Sequence, residues 1–288
     1  MPRRPGSRKI GPSPRARRRS CAAEDPSSWL HPAAREVYRD EHLWALEKPP
    51  GILSHPNPPA RRAENGILRV PYDQEEEVYR ARPESPGGPA VHLIHRLDQE
   101  TSGLILCAFD RETAARLKEA LYRREVLKEY RALVLGVPRP ARGRWSDRLE
   151  KVPRSGKLVV RARPGPPNAV TEYAVIRAFP RAGLSLLSLR PLTGRTHQLR
   201  VQAARRGLPI AGDERYGDFR ANRFLAAEVG LRRMFLHAAR IELRHPRKKH
   251  LLKLASPLPP RLEEALRRAA ALSAPVPRRE RSEGRGPG

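Results

Sequence analysis

The 288-residue chain has only two cysteines, Cys21 and Cys107, too few and too far apart for a disulfide framework or a cysteine metal site, so a reducing cytoplasm is the expected compartment. No apolar run approaches the length of a membrane span, and no internal repeat is visible. Also missing are G-x-G-x-x-G, a Gly-rich loop ending in Lys-Ser/Thr, G-x-S-x-G and H-E-x-x-H, the signatures of dinucleotide binding, P-loop chemistry, serine hydrolysis and zinc proteolysis. Acids are scarce as well. With 31 Asp and Glu against 58 Lys and Arg, the formal charge is +27, and such a field attracts phosphate backbones and makes binding fall steeply with salt.

The distribution of that charge matters more than its sum. Residues 1–33 hold eight Lys or Arg and two acids, residues 273–288 four Arg and two Glu, and the remaining +19 lies between them. A basic body is therefore expected at 34–272, between a basic, Pro-rich, disordered tail at 1–33 and a second disordered tail at 273–288. Pro2, Pro5, Pro12 and Pro14 speak against an amphipathic targeting helix at the start. A GC-rich genome would favour Arg over Lys, but not this excess of cations over acids.

Within the body, Val37–Arg39 and Leu43–Lys48 read as a hairpin around Asp40-Glu41. Residues 56–90, rich in Pro, Gly, Arg and Glu, read as a long loop. Gly103–Phe109 reads as a buried strand, and Asp110 as the cap of a helix whose Ala114, Leu117 and Leu121 share a face. Lys128–Leu135, Thr171–Ala178, Leu184–Leu189, Leu231–Leu243 and Leu251–Leu254 carry strand patterns. Between them lies a Pro/Arg/Gly stretch at 138–168. Thr196–Arg206 reads as a short helix, and Leu262, Leu266 and Ala269 mark a terminal one. Many strands with few interposed helices argue for α+β with a long mixed or antiparallel sheet and flanking helices.

One stretch concentrates the chemistry: His95-Arg96-Leu97-Asp98-Gln99-Glu100-Thr101-Ser102-Gly103 sets a single carboxylate among cationic, hydroxyl and small residues just before the buried strand. Alone, Asp98 reads as an Asx-turn. The run nevertheless resembles the signature of the RluA-type family of RNA pseudouridine synthases, and further blocks follow in that family's order. They are Lys48-Pro49-Pro50-Gly51, Lys128-Glu129-Tyr130, Thr193-Gly194-Arg195-Thr196-His197-Gln198-Leu199-Arg200, Gly212-Asp213 with Tyr216-Gly217, and Leu236-His237-Ala238. The resemblance spans about residues 35–258. It departs at Glu47, where Asn commonly precedes Lys-Pro, and at Leu208, where His often precedes Pro-Ile.

The resemblance implies the pseudouridine synthase fold, with a central RNA-binding cleft, and isomerisation of selected uridines in ribosomal RNA or tRNA by base flipping. Asp98 would be the essential carboxylate, Arg200 its ion partner, and Tyr130 a base-stacking residue that takes or relays a proton. Leu199 would pack on the uracil face. Arg96, whose planar cation can replace stacking, would brace the vacated stem, Arg195 would grip phosphate, and His95 and His197 would orient backbone or RNA. Isomerisation adds no group and changes no oxidation state, so no cofactor and no metal ligand set is expected, and RNA is the expected partner of a monomer with no membrane attachment. Two other readings stay open: a catalytically idle RNA-binding or ribosome-assembly protein, and a nucleoside glycosidase, which would want a second carboxylate.

Overall fold

The computed structural model describes residues 25–56, 65–84, 88–154 and 157–273. The tail expectations for residues 1–24 and from 274 onward lie outside these.

Asp40 makes the first turn by accepting the N–H groups of His42 and Leu43, which folds β1 (Arg35–Arg39) back on β2 (Leu43–Lys48) as expected. After β3 (Tyr72–Asp73), β4 (Val78–Arg80) and β5 (Ala90–Leu93), β2 pairs antiparallel with β6 (Ser102–Ala108), whose seven residues are all buried. Strand alternation sends Leu104 and Leu106 of β6 to one face, against Ala114 and Leu117 of α1 (Arg111–Tyr122). Ile105 and Cys107 go to the other face, against Trp29, Trp44 and Leu46. Asp110 caps α1, its carboxylate accepting the Thr113 N–H at 2.8 Å.

The remaining strands are β7 (Leu127–Leu135), β8 (Arg142–Arg154), β9 (Lys157–Arg163), β10 (Ala169–Phe179), β11 (Leu184–Pro191), β12 (Leu236–Arg244) and β13 (Leu251–Ala255). Among the described residues they join one mixed sheet in the order β3-β4-β5-β6-β12-β7-β11-β10-β8-β9, with β1-β2 attached at β6 and β13 at β12. The α+β expectation holds. Ala132 and Val134 of β7 face α2 (Gln198–Arg205), whereas Leu133 faces the opposite layer, built on the segment containing α3 (Phe219–Phe224) and on α4 (Pro260–Leu272).

The centre of the sheet is the parallel pairing of β6 with β12, Ser102 opposite His237 and Gly103 opposite Ala238. Gly103 has φ +112°, and a Cβ there would stand 2.2 Å from the Ala238 carbonyl oxygen. This explains the glycine that follows Thr101-Ser102. Gly103→Ala is expected to cost about 3 kcal/mol or more, read as a lower midpoint in denaturant unfolding; an unchanged midpoint would show that the two strands can part without penalty.

Two expectations are corrected, and a stretch given no element is filled. The ordered body reaches back beyond Ala34 to at least Asp25: Pro26–Trp29 form a 3-10 turn capped by Asp25, and Trp29 is buried in the core. The 56–90 segment contains β3 and β4. The 138–168 stretch is largely the β8–β9 ribbon, where Trp145, Asp147 and Leu149 alternate inward. Asp147 hid the period because a charge sits where an apolar residue is looked for. It is buried against Gln202, Arg205 and Arg206.

Candidate active site

The loop between β5 and β6 is held from below by the Lys48-Pro49-Pro50-Gly51 turn. Lys48, fully buried, donates to the carbonyls of Pro49, Ile52 and Gln99 at 2.9, 2.7 and 2.9 Å. The Gly51 N–H and the Gln99 carbonyl meet at 2.8 Å, and Ser54 accepts the Leu97 N–H while donating to the Leu97 carbonyl. Asp98 is thereby fixed at the edge of a cleft of about 940 Å³, with the Thr101 N–H closing the turn on its carbonyl.

Arg200 enters from the first turn of α2 and is almost wholly buried. Its Nη1 donates to Asp98 Oδ2 at 3.2 Å, the pairing the sequence suggested. Its stronger partner is Asp213, which takes Nε at 2.7 Å and Nη2 at 2.8 Å, and whose Oδ1 also accepts the N–H groups of Arg215 and Tyr216. The Arg200 guanidinium, these N–H groups and the fixed geometry hold Asp213 below the usual carboxylate range despite its burial. One guanidinium thus bridges two carboxylates, and Asp98 carries the excess negative charge into the cleft. Asp213 was passed over in the sequence as part of a matched block; its signal was its place between Gly212 and the Tyr216-Gly217 turn. A Cβ at Gly212 would meet the Arg233 carbonyl oxygen at 2.1 Å.

His197 sits at φ +53° just before α2, with Nε2 4.0 Å from Asp98 Oδ1 and Nδ1 2.8 Å from the Tyr216 hydroxyl. Burial lowers its pKa, so it is neutral at pH 7. The Tyr216 oxygen also accepts the Val160 N–H at 3.3 Å, so one hydroxyl ties His197 to β9. His95 is also neutral, pulled down to about 3 by burial, and its Nε2 accepts the Leu106 N–H. That contact makes it a brace between the loop and β6.

Tyr130 on β7 and Leu199 on α2 are buried in one apolar cluster with Leu97, and both line the cleft. Burial first, and the charge of Asp98 second, push the Tyr130 phenol above its ordinary range. Arg96 and Arg195 are exposed on the cleft wall. Arg96 has no ion-pair partner among the described residues, while the Arg195 side chain donates to the Asn168 carbonyl at 3.2 Å. All eight residues singled out in the sequence therefore line one cleft.

The cleft thus gathers Asp98, Tyr130 and Leu199 beside the cationic side chains of Arg96, Arg195 and Arg200. Residues 42–205 match the RNA pseudouridylate synthase family. The chain belongs to that family, whose members are isomerases acting on RNA. It is 33% identical over 235 residues to the ribosomal large subunit pseudouridine synthase C of Vibrio vulnificus, covering 80% of this chain and 67% of the relative. Its identity to the protein of the same description from Escherichia coli K12 is 32% over 241 residues, covering 81% and 69%. The fold superposes on human RNA pseudouridylate synthase domain containing 4 with a TM-score of 0.59 at 26% identity, covering 81% of this chain and 92% of that one. No helix among the described residues is long and apolar enough to cross a membrane.

Proposed function

We propose that this protein converts selected uridines of large-subunit ribosomal RNA to pseudouridine, with Asp98 as the reacting carboxylate and a cytoplasmic monomer as the working unit. The observation that carries the reading is the Asp98–Arg200 contact at the edge of a cleft shared with Tyr130 and Leu199. The carboxylate bonds to sugar C1′ as the C1′–N1 bond breaks, leaving the electron pair on the base. The base, held between Tyr130 and Leu199, turns until C5 faces C1′. The C5–C1′ bond forms as the carboxylate leaves, C5 loses its proton and N1 gains one. Atoms and electrons balance without a co-reactant. Asp213 is not the second carboxylate a glycosidase wants, since it is committed to Arg200 and two N–H groups. A purely RNA-binding protein needs none of this arrangement. Mapping pseudouridine in ribosomal and transfer RNA from cells with and without the gene tests reaction and target together; identical maps would overturn the proposal.

Because its phenol resists ionisation, Tyr130 acts only as a neutral hydroxyl, accepting one proton while passing on another. The single-turnover rate is expected to show no loss from Tyr130 between pH 7 and 10, since an acid whose pKa is raised keeps its proton past the ordinary value of about 10. Tyr130→Phe should lower the rate without changing the alkaline side of the profile. A basic limb that vanishes in the phenylalanine variant would make Tyr130 a phenolate base.

Residues 1–24 carry eight Lys or Arg and one acid. Deleting them is expected to weaken RNA binding and reduce the salt slope by roughly 0.7 to 0.9 per lost phosphate contact, with the rate at saturating RNA unchanged. Arg96→Ala should instead lower the saturated rate through impaired flipping. Equal loss of saturated rate in both would put the tail in the active site.

A further inference from the structure

The ribbon strand β9 ends the sheet order, so its outer edge meets no other strand among the described residues. Which backbone groups face outward follows from its register. Val160 turns its N–H away from β8, to the Tyr216 hydroxyl. Two residues on, Ala162 stands opposite Leu149, and Leu149 likewise turns its N–H and carbonyl away from β9, to the Asn168 side chain at 2.8 and 3.0 Å. The pair is thus one of the non-hydrogen-bonded positions of an antiparallel ladder, and Ala162 presents both its N–H and its carbonyl at the edge.

That edge lines a groove of about 370 Å³ against α2. Val160, Ala162, Val201 and Ala204 make its apolar walls, and Arg161 and Arg215 stand at its rim, neither paired with a carboxylate among the described residues. Tyr216 separates it from the catalytic cleft, and Arg215 lines both.

We propose that this groove binds a second unpaired nucleotide of the RNA whose target uridine lies at Asp98. The inference rests on the RNA-modifying reading above. An apolar slot suits the faces of a base, the outward N–H and carbonyl of Ala162 suit its hydrogen-bonding edge, and the two arginines suit its phosphates. Continuity through Arg215, which lines both, sets the groove along the path of the RNA that fills the cleft.

The test uses the full chain and two probes: a fluorescein-labelled twelve-nucleotide oligouridylate carrying 4-thiouridine, and a large-subunit ribosomal RNA transcript. Photocrosslinks are expected on groove peptides from β9 and α2 as well as on the cleft. Ala204→Trp, which fills the slot, should remove the groove crosslinks and raise the oligouridylate Kd by about 5- to 160-fold, the range for one stacked base. It should leave the salt slope unchanged, whereas Arg161→Ala should reduce that slope by about 0.7. Ala162→Pro removes the outward N–H and spares the β8 ladder; it should also weaken binding, and it serves if the tryptophan disturbs α2. Crosslinks confined to the cleft, with Ala204→Trp and Ala162→Pro binding as the parent does, would overturn the proposal. Pseudouridine formation on the transcript is scored separately. If it occurs and the groove results are negative, only the groove assignment falls; if groove crosslinks appear and respond to the variants while no RNA is isomerised, only the catalytic reading falls.

Discussion

Asp98→Asn protein is expected to fold, to bind ribosomal RNA as the parent does and to form no detectable pseudouridine, a loss on the order of 10⁴-fold or more, as for removal of a reacting group. The amide keeps the shape of the carboxylate and can still accept from Arg200, so packing survives. What disappears is the negative charge that the proposed attack on C1′ requires. The side chain lies at the rim of the core and makes one direct hydrogen bond, to Arg200, among its described contacts, so the melting temperature should move by only a few degrees. Single-turnover assays beside a thermal melt decide it: near-normal turnover in a folded variant would remove Asp98 from the mechanism.

Asp213→Asn should damage both stability and rate. The buried guanidinium of Arg200 loses its two-pronged partner, and breaking such a pair from one side costs about 3–5 kcal/mol. Freed from Asp213, Arg200 no longer holds a fixed position beside Asp98, so the saturated rate should drop by about 10²-fold while the RNA Kd stays put, because Asp213 is shut away from the cleft. A purely structural role would lower stability and leave the rate of the folded fraction intact. The sign of the pH effect is fixed as well. Asp213 titrates below its unfolded value of about 4, so its stabilisation is complete above pH 4 and is lost as pH falls through the depressed value. The parent should therefore lose stability on acidification more steeply than the variant, measured as melting temperature between pH 7 and pH 3.

The contrast between these residues shows what a sequence carries. The turn that carries Asp98 was legible because its neighbours in sequence are also its neighbours in space, Arg96, Thr101 and Gly103 all belonging to the same loop and strand; the candidate role of Asp98 came from the family resemblance. The β1–β2 hairpin, the all-buried β6 and the Asp110 cap were legible for the same local reason. Arg200 was placed opposite Asp98 only through family resemblance, since nothing local in α2 points to a residue 102 positions earlier. Asp213 escaped because its role depends on a guanidinium thirteen residues away and on two N–H groups of a turn. Trp29 escaped too, as a lone aromatic in a Pro-rich segment whose burial depends on strands from elsewhere in the chain. The β8–β9 ribbon was hidden by composition: one face is charged, and its core-facing row is broken by a buried aspartate.

The join between Gly103 and Ala238 has a consequence in time. A chain emerging residue by residue makes the Asp98 loop in its first half, yet the strand that lies beside the loop's exit is made only in its last fifth. Until β12 arrives, β6 has β2 along one side and β5 at the far end of the other, but Ser102 and Gly103 have no partner opposite β2, and the loop that carries the carboxylate has one wall missing. Long-range pairings of this kind form late and slowly. A nascent chain would therefore become competent to act on RNA only once it is nearly complete, and fragments ending before about residue 240 should hold the motif without holding the enzyme.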